Sequence, residues 1–212
     1  MKLKRFSKFL ALSLTLGGTA GCGEALMDGE YPGEARYVVR GEVRSLAPAT
    51  QEGKTRVVLA WDNWARNGDI ISPQSIDLTS KNPPFDYQLR ISADPEPSAL
   101  NDFKPDLIGF GNVLVYEDQD GDGVFDERAP VRGEARNHVV IFVPEVTEAL
   151  KSSLREWGTI VNVDDLKQGF NLARGVCSTP RSLFDNLRII PEEPVIVSDP
   201  KDVSQPSCIN YH

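Results

Sequence analysis

Apolar and polar residues alternate strictly over residues 85–91, FDYQLRI, so that Phe85, Tyr87, Leu89 and Ile91 share one side of the chain. Successive side chains of a β-strand point to opposite faces of a sheet. The pattern therefore predicts a strand with one face in the core and the other in water. It restricts the fold to one that contains a half-buried sheet.

Several further segments have strand character, and turn-rich stretches such as PATQEGK, ARNGD, SKNPP and ADPEPS separate them. The run at 57–61 is continuously apolar, which predicts a buried strand. The predicted strands are residues 37–43, 57–61, 85–91, 107–116, 139–143, 159–163, 170–176 and 194–197. About eight short strands with few helices indicate an antiparallel β-sandwich.

One α-helix is predicted after the strand at 139–143. Val146, Leu150 and Leu154 follow one another at helical spacing. Pro144 is expected near the first turn, and the helix should end near Gly158.

A second, shorter helical segment is predicted to begin at Thr179, with Pro180 in its first helical position. Trp157, at the end of the longer helix, is expected in the core. The predicted fold class is thus mainly β, an antiparallel β-sandwich with one or two short helices.

The segments VVRGEVRS and RVVLAW, joined by a turn, resemble the opening of prealbumin-type modules of exported bacterial proteins. The resemblance covers the first part of the predicted domain. It implies a β-sandwich scaffold and no particular activity.

The N-terminal segment resembles the signal peptide of a bacterial lipoprotein. A basic start precedes an apolar segment at 9–16, and the sequence TAGC ends at Cys22. The apolar segment is far shorter than the roughly 20 residues of a membrane-spanning helix, which favours a processed signal. The resemblance implies lipidation of Cys22, and an ordinary secretory signal cleaved after Ala20 is the alternative. The basic residues are Lys2, Lys4, Arg5 and Lys8.

The predicted organisation is a signal peptide at 1–21, a flexible tether at 22–35 and a single β-sandwich domain at 36–212. Glycine and glutamate are frequent in the tether, GEALMDGEYPGEA after Cys22. The alternative is an arm that packs on the domain through Leu26, Met27 and Tyr31.

Acidic residues outnumber basic ones by 31 to 23, a formal charge of −8. Removal of residues 1–21 takes away four basic residues and no acidic one, which leaves 19 against 31 and a charge of −12. Such a surface excludes nucleic acid as a partner and disfavours direct binding to anionic lipid headgroups. Membrane attachment would therefore depend on acyl chains at Cys22.

Cys177 and Cys208 remain as a pair once Cys22 carries lipid. An even pair in an exported chain predicts a disulfide, which would stabilise the fold by roughly 3–4 kcal/mol. No histidine cluster accompanies the pair, which disfavours a metal site. A disulfide favours an oxidising compartment, the periplasm or the cell surface of a bacterium with two membranes. The expected place of the anchor is the outer rather than the inner membrane.

The acidic segment EDQDGDGVFDE, residues 117–127, resembles the first nine positions of an EF-hand calcium loop. Aspartates take positions 1, 3 and 5, and Gly123 takes position 6, where the sharp turn needs a positive φ. Calcium prefers hard oxygen ligands of this kind. The ligands that the resemblance implies are Asp118, Asp120, Asp122, the Val124 carbonyl and Asp126.

The loop departs from an EF-hand in two ways. Position 12 is Ala129 instead of glutamate, and the preceding segment has the pattern of a strand. The missing ligand could come from Glu127, Glu134, another part of the fold or water. Phe125 is expected to point into the core and fasten the loop. An affinity of roughly 10⁻⁴ to 10⁻³ M is expected.

A solvated acidic turn without an ion is the alternative to a calcium loop. However, six carboxylates fall within residues 117–127. Their mutual repulsion would destabilise a compact loop without a cation, which favours calcium.

Hydrolase motifs are absent from the sequence, which contains neither GxSxG nor HExxH. His138 and His212 are the only histidines, and His138 is expected at a strand edge. Gly109 and Gly111 lack the further glycine and lysine of a phosphate loop. We therefore predict a non-catalytic protein, and an envelope hydrolase with a structural calcium is one alternative.

Trp64 is the best candidate for a ligand contact. It follows the predicted strand at 57–61 in a polar turn, beside Asp62 and Asn63, where it could stack on a sugar ring. Packing at the edge of the core is the other interpretation. The sequence thus predicts a lipid-anchored, calcium-stabilised binding or assembly module with a protein or glycan partner, and a carbohydrate-binding module is the second alternative.

Overall fold

The computed structural model describes residues 34–50, 53–63, 69–71, 75–78, 82–125, 128–175 and 186–202. Twelve strands and one α-helix occupy this part of the chain. Their bounds are β1 Tyr37–Val43, β2 Lys54–Asn63, β3 Asp69–Ile71, β4 Ser75–Asp77, β5 Phe85–Ile91, β6 Asn101–Phe103, β7 Asp106–Asp118, β8 Val131–Glu134, β9 His138–Val143, α1 Glu148–Trp157, β10 Gly169–Gly175, β11 Leu187–Ile190 and β12 Val195–Val197.

The strands form a small sheet of three and a large sheet of nine. In the small sheet, β1 lies between the antiparallel β5 and the parallel β12. The large sheet has the order β11-β10-β9-β7-β2-β3, with β4 paired to β2 and with β6 and β8 paired to β7. The predicted fold class is confirmed: the protein is mainly β, with antiparallel sheets in a sandwich-like arrangement and one α-helix.

The two sheets enclose a shared apolar core. On β5, the alternating residues Tyr87, Leu89 and Ile91 face inward and are buried, as the period of two predicts. The large sheet contributes buried residues of four strands to the same core: Val57, Leu59, Trp61, Val113, Val115, Val140, Phe142 and Leu172.

The outer face of the large sheet is covered as well. Val58 and Ala60 of β2 belong to a second apolar cluster on this face, and Leu150 and Leu154 of α1 belong to a third. Because both faces of β2 are covered, residues 57–61 are apolar without interruption.

The helix α1 begins later than predicted. Thr147 is its N-cap, with Oγ1 accepting the Leu150 amide at 3.0 Å and donating to Asp106 at 2.8 Å. Pro144 therefore lies before the N-cap rather than near the first turn, and the threonine hydroxyl satisfies one of the free amides there, that of Leu150. The end near Gly158 is confirmed by the left-handed φ of +69° at that residue.

Two further predictions in this region are wrong. Residues 159–163 do not form a strand: Ile160 makes a single bridge to Leu187, and Val163 begins a 3₁₀ turn. Trp157, the last residue of the helix, is 66% exposed and therefore does not lie in the core. Its ring contacts that of Phe103, at a centroid distance of 5.0 Å. The segment beginning at Thr179 lies outside the described residues.

One corner of the sandwich is closed by a bridge between the sheets. The Glu134 amide donates to the Ser198 carbonyl at 2.9 Å, and the Ser198 amide donates back at 3.2 Å. This bridge joins the end of β12 to β8. Within the ranges described above, no helix combines the length and apolarity that crossing a membrane requires.

Candidate metal centre

The acidic loop begins where the long strand β7 ends. Asp118 is the last residue of β7, pairs with Lys54 of β2 and is only 2% exposed. The first predicted ligand is therefore held by the sheet itself, which restricts its position more than a free turn would.

Asp118, Asp120 and Asp122 converge as the spacing predicts. Each offers a carboxylate oxygen, and these atoms lie within 4.8 Å of one another. The Asp118 carboxylate accepts the amides of Gly121 at 2.9 Å and Gly123 at 3.1 Å. Both glycines have a positive φ, +77° and +80°, which bends the loop back around the first carboxylate.

The two exposed aspartates are held by the loop backbone. Asp120 accepts the Asp122 amide at 3.3 Å, and Asp122 accepts the Val124 amide at 2.7 Å. These bonds hold the loop in a curled shape, so a cation would meet oxygens that are already gathered.

Phe125 fastens the far end of the loop, as expected. Its side chain is 5% exposed and meets Tyr116 edge to face, with ring centroids 4.9 Å apart. Val58, Ala60 and Leu114 complete the cluster around the two rings. The loop thus has a rigid entry at Asp118 and an apolar anchor at Phe125.

Burial raises the pKa of the Tyr116 hydroxyl beneath the loop. The negative charges of Asp118 and Asp122 act in the same direction, against opposing effects of Ser75 and Arg56. Tyr116 therefore stays neutral and adds no charge to the acidic loop.

Arg56 is a functional neighbour that sequence reasoning missed. Its Nη1 lies 3.7 Å from Asp118 Oδ2, and both side chains are almost fully buried. Its Nε donates to Ser75 Oγ at 2.7 Å, and that hydroxyl donates to the Gly123 carbonyl at 2.6 Å. The only sequence signal is a charged residue next to the apolar run at 57–61.

Glu117 faces away from the aspartate cluster. Its carboxylate accepts the Thr50 amide at 2.7 Å and the Thr50 hydroxyl at 2.6 Å, and it is 2% exposed. The repulsion expected from six carboxylates in residues 117–127 is therefore larger than the repulsion in the folded loop. Glu117 is satisfied by Thr50, and Asp118 is partly compensated by Arg56.

Of the other predicted ligands, Val124 and Glu134 lie in the described part of the chain. Val124 follows the cluster with an exposed side chain, whereas Asp126 and Glu127 lie outside the described residues. Glu134 pairs with Arg136 and is not part of the aspartate cluster, so it does not supply the missing ligand. Three carboxylates can thus hold a metal ion here, and hard oxygen donors without nitrogen or sulfur suit calcium or magnesium.

Other predicted site residues fall outside the described part of the chain, namely Cys22, Trp64, Cys177 and Cys208. Lipidation, the disulfide and the Trp64 contact therefore stay predictions. Trp61, by contrast, is described and is buried at 2% exposure, as its place in the apolar run predicts.

No protein-family model, no curated protein and no solved structure matches this chain. The fold and the loop geometry therefore carry the functional argument by themselves. They define a class, a mainly β, sandwich-like protein with three aspartates that can hold a metal ion.

Proposed function

We propose that this chain is an exported, lipid-anchored envelope protein whose prealbumin-like β-sandwich is stabilised by calcium. It acts as a non-catalytic binding or assembly module. The observation that carries the calcium part is the convergence of three aspartate oxygens within 4.8 Å at the end of a core strand. Calcium has a structural role in this proposal, because it would join the loop to β7.

Calcium fits this cluster better than magnesium does. Magnesium demands near-ideal octahedral geometry and keeps most of its water, whereas calcium accepts irregular sets of carboxylate, carbonyl and water ligands. The Val124 carbonyl, Asp126 and water are the proposed additional ligands. An affinity of the extracellular kind suits a compartment in which calcium is abundant.

Calcium is expected to raise the melting temperature of the signal-free protein. At 10 to 100 times Kd, binding to the folded state alone adds about 1.4–2.7 kcal/mol to the free energy of unfolding. For a domain of this size that corresponds to about 3–10 °C. Differential scanning calorimetry after chelator treatment, with and without calcium, measures the shift.

A double variant, Asp118→Asn with Asp122→Asn, is expected to lose the calcium shift. The matched control is Asp86→Asn with Asp102→Asn, which removes the same charge from exposed positions of β5 and β6. The control should keep the full shift. An equal shift in the loop variant would remove this site from the proposal.

The lipid anchor is tested through Cys22. A Cys22→Ser variant expressed in a bacterial host with lipoprotein processing is expected to lose acylation and to leave the membrane fraction, because the serine hydroxyl cannot replace the thiol. Fractionation and mass spectrometry of the N-terminal peptide measure both effects. A Cys177→Ser variant is the control and should stay in the membrane fraction. Unchanged membrane retention of Cys22→Ser would contradict the anchor.

A further inference from the structure

A polar cleft lies where β1 and β12 of the small sheet meet the large sheet at β8, β9 and β10. Its volume is about 540 Å³, within the range of roughly 300–1,000 Å³ typical of small-ligand sites. The cleft shares no lining residue with the aspartate cluster of the acidic loop.

Three arginine–glutamate pairs line the cleft. Arg174 Nη1 lies 2.8 and 3.1 Å from the two carboxylate oxygens of Glu193. The other pairs are Arg44 with Glu42, at 2.9 Å, and Arg136 with Glu134. All six side chains are between 25% and 48% exposed, so a ligand in the cleft can reach them.

Several polar atoms of the lining lack partners. His138 is 6% exposed, and its Nε2 contacts Glu193 at 2.7 Å. Among the described residues, His138 Nδ1, Arg174 Nε and Ser198 Oγ are buried and make no hydrogen bond. Buried polar groups are nearly always satisfied in folded proteins. These three atoms are shielded from solvent, so the cleft offers a ligand the exposed arginine and glutamate side chains instead.

We propose that this cleft binds a small zwitterion of the amino-acid or short-peptide class. The ligand carboxylate contacts Arg136 and Arg174, because guanidinium groups bind carboxylates through paired, charge-assisted hydrogen bonds. The ligand ammonium group contacts Glu42 and Glu134. The charge of the cleft is thus complementary to a ligand that carries both signs.

Other ligand classes fit the cleft less well. A simple anion would meet three glutamates in a protein of net charge −8, and an apolar ligand would have to desolvate the charged pairs. A sugar would lack a stacking surface, since the described lining contains no Phe, Tyr or Trp and the His138 ring is buried.

Catalysis is also disfavoured at the cleft. His138 Nδ1 and Ser198 Oγ have no partner, so they do not bond to each other as a nucleophile and its base would. Burial lowers the pKa of His138, against the opposing effect of Glu193. The geometry thus supports binding without a reaction.

Backbone amide shifts in an NMR titration test the proposal, with triglycine as the probe and the signal-free protein as the sample. At about 10 mM, triglycine saturates a site with a Kd of about 1 mM. Shifts are expected at residues 134–138, 174 and 193–198. Triglycine that is acetylated at one end and amidated at the other carries no charge, and it should bind at least about tenfold more weakly.

Arg136→Gln should weaken triglycine binding by at least about tenfold, since it removes one partner of the carboxylate. Glu134→Gln should also weaken triglycine binding, because it removes a partner of the ligand ammonium group. The matched control is Arg155→Gln, which removes an arginine paired with Asp164 on the helix side of the protein. The control should bind as the wild type does.

Three outcomes would overturn the zwitterion site: no shifts at the cleft, equal binding of the neutral probe, or equal weakening by Arg155→Gln. The first outcome would mean that ordered water alone satisfies the cleft. Binding is expected to persist after chelator treatment. Failure of the calcium site and failure of the zwitterion site are therefore distinguishable.

Discussion

Gly41→Ala is expected to destabilise the protein by about 3 kcal/mol or more, at the upper end of the cost of overpacking a core. A Cβ on Gly41 would lie 1.9 Å from the Val195 carbonyl oxygen and 2.8 Å from two ring carbons of Tyr87. The carbonyl belongs to the backbone of β12, so it cannot move aside as a flexible side chain would. The midpoint of chemical denaturation measures the loss.

The clash follows from how Tyr87 crosses β1. Gly41 pairs with Val195 on one side and with Tyr87 on the other. The Tyr87 hydroxyl reaches over the glycine and donates to the same Val195 carbonyl at 3.2 Å. Burial raises the pKa of this hydroxyl, so the donor stays protonated. An alanine would thus disturb a hydrogen bond as well as the pairing of β1 with β12.

Gly175→Ala is the matched control for Gly41→Ala. A Cβ at Gly175, in the last position of β10, meets no atom within 4 Å. Its denaturation midpoint should stay the same or rise slightly, because alanine restricts the unfolded chain. Equal midpoints for the two variants would show that β12 does not lie against β1 as described.

Arg56→Met is expected to lower the free energy of unfolding by about 3–5 kcal/mol in the presence of a chelator, the typical cost of breaking a buried ion pair. The substitution leaves Asp118 buried without its cationic neighbour and removes the donor to Ser75. Methionine keeps most of the volume, so the loss reports mainly on charge and hydrogen bonding. Thermal and chemical denaturation measure it.

Calcium should raise the free energy of unfolding more in Arg56→Met than in the wild type. The substitution removes the guanidinium charge next to Asp118, and a bound calcium ion would replace that positive charge. The control is Arg36→Gln, which breaks the exposed pair with Asp94. That variant should change the free energy of unfolding by about 0–1 kcal/mol and leave the calcium shift unaltered. A smaller calcium shift in Arg56→Met would instead indicate that Arg56 holds the loop in its binding shape.

Long strands were predictable because their apolar patterns are local. Residues 37–43 and 85–91 were predicted with the bounds that the structure shows for β1 and β5. The short strands β3, β4 and β6 were not, since three residues carry too little pattern and owe their geometry to β2 and β7 beside them. Strand character in such segments comes from pairing partners rather than from composition.

The aspartate cluster was predictable for the same reason. Asp118, Asp120 and Asp122 are spaced by two, and the glycines that bend the loop lie between and after them. All the residues that bring the three carboxylates together therefore lie within a segment of six residues, 118–123. Arg56 and Thr50 could not be assigned to the loop in this way. They reach it only because β2 pairs with β7 along its length and residues 34–50 return to the same corner.

By itself, the sequence determined the mainly β class, the long strands, the cap at the end of the helix and the gathered aspartates, because each depends on neighbours a few residues apart. The tertiary structure alone decided which carboxylates are compensated, that Trp157 is exposed, that Tyr87 crosses Gly41 and that three arginine–glutamate pairs line one cleft. These features join residues that are far apart in the chain. Their positions follow from strand order and register, which a local pattern does not specify.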